Sequence, residues 1–402
     1  MKILVFAHRL EFGGTQVNGI DLAAAMRDMH GHEIVLFATT GPLVELAQQK
    51  GLRYIPAPDA RFHPSPARMG ALRDVVRRER PDLVHAWDWW QCLDAYYSVY
   101  LPMGMPMVVT DMMMEITRVL PMKLPTTFGT PELVDLAKAA GRRRVELILP
   151  PVDIAKNNPT AADPQPLRER CGIAPNEITI VTVSRLADFM KSESLLRTIE
   201  VVRALGRELP LRLVIVGDGA ARPRLEALAT QTNAELGRPA VVLTGALIDP
   251  RPAYAMADIV VGMGGSSLRG MAFGKPVVVV GKNGFARTFD PESADFFRYY
   301  GMYGTGDGNT DNAQFIAAIR RLAADAEERA ALGEFSRAFV IREYSLEAVS
   351  ARLDRFCTAA VAHPPRFRSA TADGLRTAAV YLRERRFLTP SRDALPHPTL
   401  PR

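Results

Sequence analysis

The stretch DIVVGMGGSSLRGMAFGKPVVVVG, residues 258–281, leaves this chain few ways to fold. Ile259, Val260 and Val261 form an unbroken apolar run, as a strand buried on both faces requires. Gly262, Gly264 and Gly265 then permit a tight turn and a close backbone approach to a ligand. Ser266 and Ser267 can cap a short helix through Leu268, Met271 and Ala272. Gly274 closes that helix, Lys275-Pro276 forbids its continuation, and Val277–Val280 reads as the next buried strand. Glycines before a helix N-terminus leave N–H groups pointing out above the strand ends, which favours an anion such as phosphate. The same pattern also serves an ordinary βαβ turn that holds no ligand.

The rest of the chain repeats this alternation. In the first half, strands are expected over 2–7, 33–39, 53–56, 83–86, 107–110 and 146–149, with helices over 17–27, 44–50 and 68–79. Pro150-Pro151 and the polar run KNNPTAADPQP (156–166) break the pattern and read as an interdomain connection. A second series follows, with strands over 178–183, 211–216, 240–243, 259–261 and 277–280, then a long helical region over 312–357. The domains expected are 1–155 and 167–345, followed by a helix over 346–362 and a tail over 363–402. Alternating units of this kind make doubly wound α/β sheets covered on both faces. Two in tandem place a ligand cleft where C-terminal strand ends meet.

Composition excludes several classes. No run of 18 apolar residues exists, so no membrane span is expected, and MKILVFAH lacks the pattern of a signal peptide. Cys92, Cys171 and Cys357 are far apart, which suggests reduced thiols, a cytoplasmic setting and no zinc site. The net charge of +6 is concentrated at the end, where 366–402 holds eight arginines and three acids. A near-neutral body argues against nucleic-acid binding and leaves peripheral contact with a membrane open. In the tail, 373–388 reads as a helix with Asp373 as N-cap, and its flanks read as mobile.

Chemistry-bearing residues gather at strand ends. SRLADFMK (184–191) follows a strand, so Arg185 and Lys191 can neutralise a diphosphate and stabilise it as a leaving group. VGDG (216–219) is first a structural turn, and Gly217 also stands close to the expected ligand. In LTGAL (243–247), Gly245 would let backbone approach a flat base. EFGGTQ (11–16) opens a helix with Gly13, Gly14 and Thr15 offering N–H groups, without the spacing of a nicotinamide site. VHAWDWW (84–90) puts His85, Trp87 and Asp88 at a strand end, a cluster suited to a sugar or to packing in the core. Thr110 and Asp111 fall on a neighbouring strand end.

Together these stretches resemble GT-B glycosyltransferases, and more narrowly the retaining family-four type, over about residues 1–360. The resemblance rests on GGT (13–15), GHE (31–33), PDLVHAWD (81–88), SRL…K (184–191), VGDG, AD…MAFGKPVVV (257–279) and ALGEFSRAFVIREYS (331–345). It implies two Rossmann-like domains facing a central cleft. The second holds a UDP- or GDP-type sugar donor and the first a hydroxyl acceptor, whether small molecule, glycolipid or glycan. Arg185 and Lys191 match the diphosphate pair, Gly13 and Gly14 the loop that reaches the donor, and Leu247 the base-contacting segment. Such enzymes usually need no metal, the two cations taking that role, and no cofactor is expected. Backbone N–H groups of Gly264, Gly265, Ser266 and Ser267 would take part of the sugar contact.

The departures are specific. The family carries two glutamates eight positions apart; here the second is Arg269, the first falls near Val261, and no acid occurs from 259 to 287. Family histidines after His85 and Thr110 are replaced by Trp87 and Met112. A divergent subgroup is expected, with Arg269 directed at the donor. Two other readings stay open: a sugar-nucleotide epimerase or related GT-B enzyme, and a catalytically silent binding protein.

Overall fold

The computed structural model describes residues 1–388 except 12, 189, 190, 310, 365 and 366. It divides into two compact units, Met1–Pro151 with Leu346–Arg402, and Val152–Ser345. Each unit is built on one sheet.

In the first unit the strands are β1 (Lys2–Phe6), β2 (Glu33–Thr39), β3 (Arg53–Ala57), β4 (Leu83–Trp87), β5 (Met107–Asp111), β6 (Thr126–Phe128) and β7 (Val145–Leu147). All are parallel, in the order β3-β2-β1-β4-β5-β6-β7. Strand order reverses between β1 and β4, the place where doubly wound sheets open a crevice at their C-terminal ends. Helices cover both faces, which is why the strands read as apolar runs.

The second unit has β8 (Ile178–Val183), β9 (Leu211–Val216), β10 (Val241–Gly245), β11 (Ile259–Gly262), β12 (Val277–Val280) and β13 (Ala286–Thr288). Their order is β10-β9-β8-β11-β12-β13, parallel except for β13. The switch falls between β8 and β11. Val260, Val278, Leu213 and Ile215 are fully buried in this sheet.

Both sheets were expected, but β6 and β13 were not. Each has three residues, too few for a periodic signal. The helical region expected over 312–357 is three helices, Ala313–Ala324, Ala326–Tyr344 and Leu346–Ala362. The last of these belongs to the first unit. His32 Nε2 lies 2.7 Å from Asp354 Oδ1, and His30 Nε2 3.1 Å from Ser350 Oγ.

The tail needs correction. Its helix runs Phe367–Arg383, with a short turn at Arg386–Leu388. Asp373 is not an N-cap but sits mid-helix, 4% exposed, facing inward. Its carboxylate accepts from the backbone N–H groups of Met122 (3.0 Å) and Lys123 (2.8 Å). The Tyr96 and Tyr97 hydroxyls donate to the carbonyls of Ala370 and Gly374, both at 2.8 Å. This part of the tail is therefore docked, while 389–402 lie outside the described residues.

Removing the buried Asp373 carboxylate takes the acceptor from the part-buried N–H groups of Met122 and Lys123. We expect Asp373→Ala to lower the stability of the first unit by about 3 kcal/mol. Urea unfolding should show a lower midpoint, and a change under about 0.5 kcal/mol would mean that the helix is only loosely held.

Candidate functional site

The site in the second unit begins with the loop after β8. Val183 ends the strand and Ser184–Leu186 cross the C-terminal end of β9. Gly217 has φ +144°, and a Cβ there would collide with the Ser184 carbonyl oxygen. Only glycine allows this approach. Leu186 N–H donates to the Asp218 carbonyl at 2.9 Å, and Ala221 N–H to the Leu186 carbonyl at 2.9 Å. VGDG is thus the cradle of the Arg185 loop. Its Asp218 carboxylate accepts from Gly219 N–H (2.8 Å) and Arg222 (3.0 Å).

Arg185 is exposed and Lys191 half-buried at the start of the Ser192–Leu205 helix. Phe189 and Met190 between them lie outside the described residues. Among the described residues neither cation has a hydrogen-bonding or ion-pair partner for its side chain. The nearest helical acid, Glu193, accepts instead from the N–H groups of Asn283 (3.1 Å) and Gly284 (2.7 Å). Burial, and then the charge of Arg185, lower the Lys191 ammonium to about 8. A helix N-terminus beside it adds further positive potential.

The neighbouring loop follows β11, which pairs with β8. Gly264, at φ +58°, is the N-cap of the Gly265–Ala272 helix. The serines do not cap it as expected. Ser266 Oγ turns back to Met263, accepting from its N–H at 3.3 Å and donating to its carbonyl at 3.1 Å. Ser267 is fully buried. What this turn offers is first-turn N–H groups, which have no partner inside the helix.

Arg269 lies in the last turn of that helix. A cation there suits the helix dipole, so its position alone does not call for an anion. Its guanidinium nevertheless reaches back, with Nη1 3.4 Å from where a Gly265 Cβ would stand. Among the described residues it too has no acidic partner. Gly245 accepts at its carbonyl from Gly217 N–H (2.9 Å), and beyond it Leu247 is half-buried beside a fully exposed Ile248. All the donor-side residues expected after β8, β9, β10 and β11 therefore lie along one sheet edge. A cavity of about 390 Å³ lined by Gln165, Arg168 and Gly172 sits before β8, at the other end of that strand.

In the first unit, Gly13 caps the Gly14–Asp28 helix, Thr15 is half-buried, and no acid lies in the first turn. The expected acceptor residues are deeper than a sugar platform requires. His85, Trp87, Asp88, Thr110 and Asp111 are each 3% exposed or less. His85 Nε2 and Thr110 Oγ1 lie 2.7 Å apart, and burial lowers the imidazole to about 4, so it is neutral. Trp89 and Trp90 stack on each other at 4.6 Å within the core. Of the two readings left open for this cluster, a sugar platform or core packing, the burial of Trp87, Trp89 and Trp90 favours the second.

One residue at this edge was not singled out from the sequence. His8 follows β1 and Asp88 follows β4, the two strands flanking the order reversal. His8 Nε2 lies 2.8 Å from Asp88 Oδ2, and both are buried. Asp88 holds φ +55°, uncommon for a non-glycine residue, and its Oδ1 accepts from Met112 N–H at 3.1 Å. Burial, and then the Asp88 charge, hold the Asp111 carboxyl well above the usual carboxylate range. A histidine oriented by a carboxylate is an arrangement able to accept a proton. The signal was a histidine immediately after the first strand.

Two family models match the chain. Glycosyltransferase Family 4 covers residues 12–111 and Glycosyl transferases group 1 covers 177–325. A comparison with curated protein sequences finds no match. Among solved structures, a glycosyltransferase from Rickettsia africae is 16% identical with a TM-score of 0.70, over 90% of this chain and 98% of its own. Anabaena Alr3699/HepE in complex with UDP-glucose is 16% identical with a TM-score of 0.69, over 89% and 100%. WaaG, a glycosyltransferase involved in lipopolysaccharide biosynthesis, is 15% identical with a TM-score of 0.62, over 89% and 100%. With a family match in each unit and this fold, the chain belongs to the GT-B glycosyltransferases.

The Lys191 shift has a sign. The protonated form binds an anion, so UDP affinity should hold from pH 6.5 to 7.5 and fall as pH rises beyond about 8. Lys191→Arg stays charged and should flatten that profile in calorimetric titrations. Equal affinity of the native protein at pH 7 and 9.5 would remove Lys191 from the site. Because the folded value is lowered, the unfolded chain holds more protons between about 8 and 10.5, and this group's contribution makes stability rise across that window.

Proposed function

We propose that the chain transfers a hexose or amino sugar from a nucleotide-sugar donor to a hydroxyl acceptor. The observation that carries this is the pair Arg185 and Lys191, held on one loop without a counter-charge among the described residues. Such a pair is built for an anion that comes and goes. A diphosphate fits, with the first turn of the Gly265–Ala272 helix and Arg269 beside it. A UDP-type donor is favoured over GDP by the UDP-glucose and UDP complexes of Alr3699/HepE.

In the reaction the anomeric C–O bond to the diphosphate breaks and its electron pair leaves on the phosphate oxygen. Arg185 and Lys191 stabilise that charge, the task a divalent metal performs elsewhere, and we propose that no metal or other cofactor is required. The acceptor oxygen forms the new bond and its proton passes to the departing phosphate oxygen. The second unit is assigned to the donor and the first to the acceptor. The chain's three buried free cysteines, Cys92, Cys171 and Cys357, suit a cytoplasmic setting, and among the described residues no helix is long and apolar enough to cross a membrane.

Retention of anomeric configuration follows from the family resemblance. A second reading is favoured by one observation, the buried His8–Asp88 pair. A base of this kind can take the acceptor proton in a single inverting displacement. The anomer of the product, read by NMR, separates the two.

Arg185→Ala and Lys191→Ala should each cost about 2–4 kcal/mol in kcat/KM, or roughly 30- to 1000-fold. Losses under tenfold in both would make them surface cations. Arg269→Glu should weaken UDP binding more than Arg269→Ala, through repulsion of the diphosphate. If the glutamate variant binds as well as the native protein, Arg269 does not face the donor.

A further inference from the structure

The outer face of the C-terminal helix has no role in the chemistry above. Its inner face is fully used: Asp373 and Thr377 are buried, and Tyr381 donates its hydroxyl to the His63 carbonyl. The outer face is apolar where solvent would favour polar groups. Leu375 is 71% exposed and Leu382 63% exposed. They are seven residues apart, so they share one helical stripe. Ala372 and Ala379 are exposed on the same stripe, and in the turn after the helix Phe387 and Leu388 are 50% and 67% exposed. Lone surface leucines need no explanation, but an aligned apolar line does.

Arginines border this line. Arg368, Arg383 and Arg385 are exposed and, among the described residues, make no side-chain hydrogen bond or ion pair. The segment 367–388 has only two acids, and both are occupied. Asp373 faces inward onto Met122 and Lys123, and Glu384 pairs with Arg386 at 2.9 Å. The outer face is thus apolar with a one-signed positive border.

We propose that this face docks the protein on the surface of an anionic lipid bilayer. Leu375 and Leu382 enter the acyl boundary while the arginines meet negatively charged headgroups. Long arginine stems suit this, because they extend from an apolar layer to a polar one. A second copy of the chain fits less well, since it would bring the same positive border against this one. A convex line on the outside of a helix also suits a fluid surface, which conforms to it, better than a shaped protein partner. The proposal is independent of the glycosyl-transfer reading.

The test is co-sedimentation of the full chain with phosphatidylcholine vesicles, with and without 30 mol% phosphatidylglycerol. Binding should be at least tenfold stronger to the anionic vesicles and should weaken at 0.5 M salt. Leu375→Asp with Leu382→Asp, and separately Arg383→Glu with Arg385→Glu, should each reduce binding at least tenfold. Both pairs are exposed, so thermal melting and UDP affinity should match the native protein, which separates lost docking from lost folding. Three outcomes overturn the proposal. One is equal binding to neutral vesicles, and another is native binding by both variants. The third is no vesicle binding together with a dimer in solution that the leucine variant dissociates, which makes the face a contact between copies.

Discussion

The approach of two backbones at Gly217 is the constraint on which the candidate site rests. The chain leaving β8 passes over the end of β9 so closely that a single methyl group would block it. In return it gains hydrogen bonds from Leu186 to Asp218 and from Ala221 back to Leu186. A loop held this way cannot drift, and Arg185 stands on it. The VGDG turn therefore contributes by fixing a neighbour's position rather than by touching a ligand with a side chain. Preorganisation of that kind is what makes a charged group effective when charge develops on a leaving oxygen.

The charges at this edge are arranged against stability. Arg185 repels Lys191, Lys191 is half-buried, and it caps a helix at its positive end. Nearby acids could relieve the strain, but Glu193 is committed to the backbone at 283–284 and Asp218 to Gly219 and Arg222. A fold selected only for stability would pair these groups. Leaving them apart is the usual mark of a site completed by its ligand.

Most of both sheets was legible because parallel strands buried on both faces must be apolar throughout, and ILV runs such as Ile259–Val261 have no other use. β6 (TTF) and β13 (ART) were not, since three partly polar residues carry no pattern. The edge residues on the donor side were legible because glycine turns and cations follow strands at fixed places. The tryptophans were not, because composition cannot say which way a ring faces. Asp373 resembled an N-cap, yet its partners lie about 250 residues earlier in the chain, at Met122 and Lys123. His8 was overlooked for the same reason: a histidine after a strand is unremarkable until the sheet order brings Asp88 beside it, 80 residues on.

The two units differ in the sign of what they gather at their strand-order reversals. Arg185, Lys191 and a glycine-started helix N-terminus follow β8 and β11. His8 and Asp88 follow β1 and β4, and Asp111 ends β5. Glycosyl transfer asks for both kinds of chemistry, positive charge where a diphosphate departs and a proton acceptor where a hydroxyl attacks. Asp111 sharpens the second of these. Burial, and then the Asp88 charge, push its carboxyl well above the usual carboxylate range. The Asp88 carboxylate itself meets His8 Nε2 at 2.8 Å. The sequence alone groups these residues by strand; the sheet order is what brings His8 beside Asp88 in one unit and gathers the cations along one edge in the other.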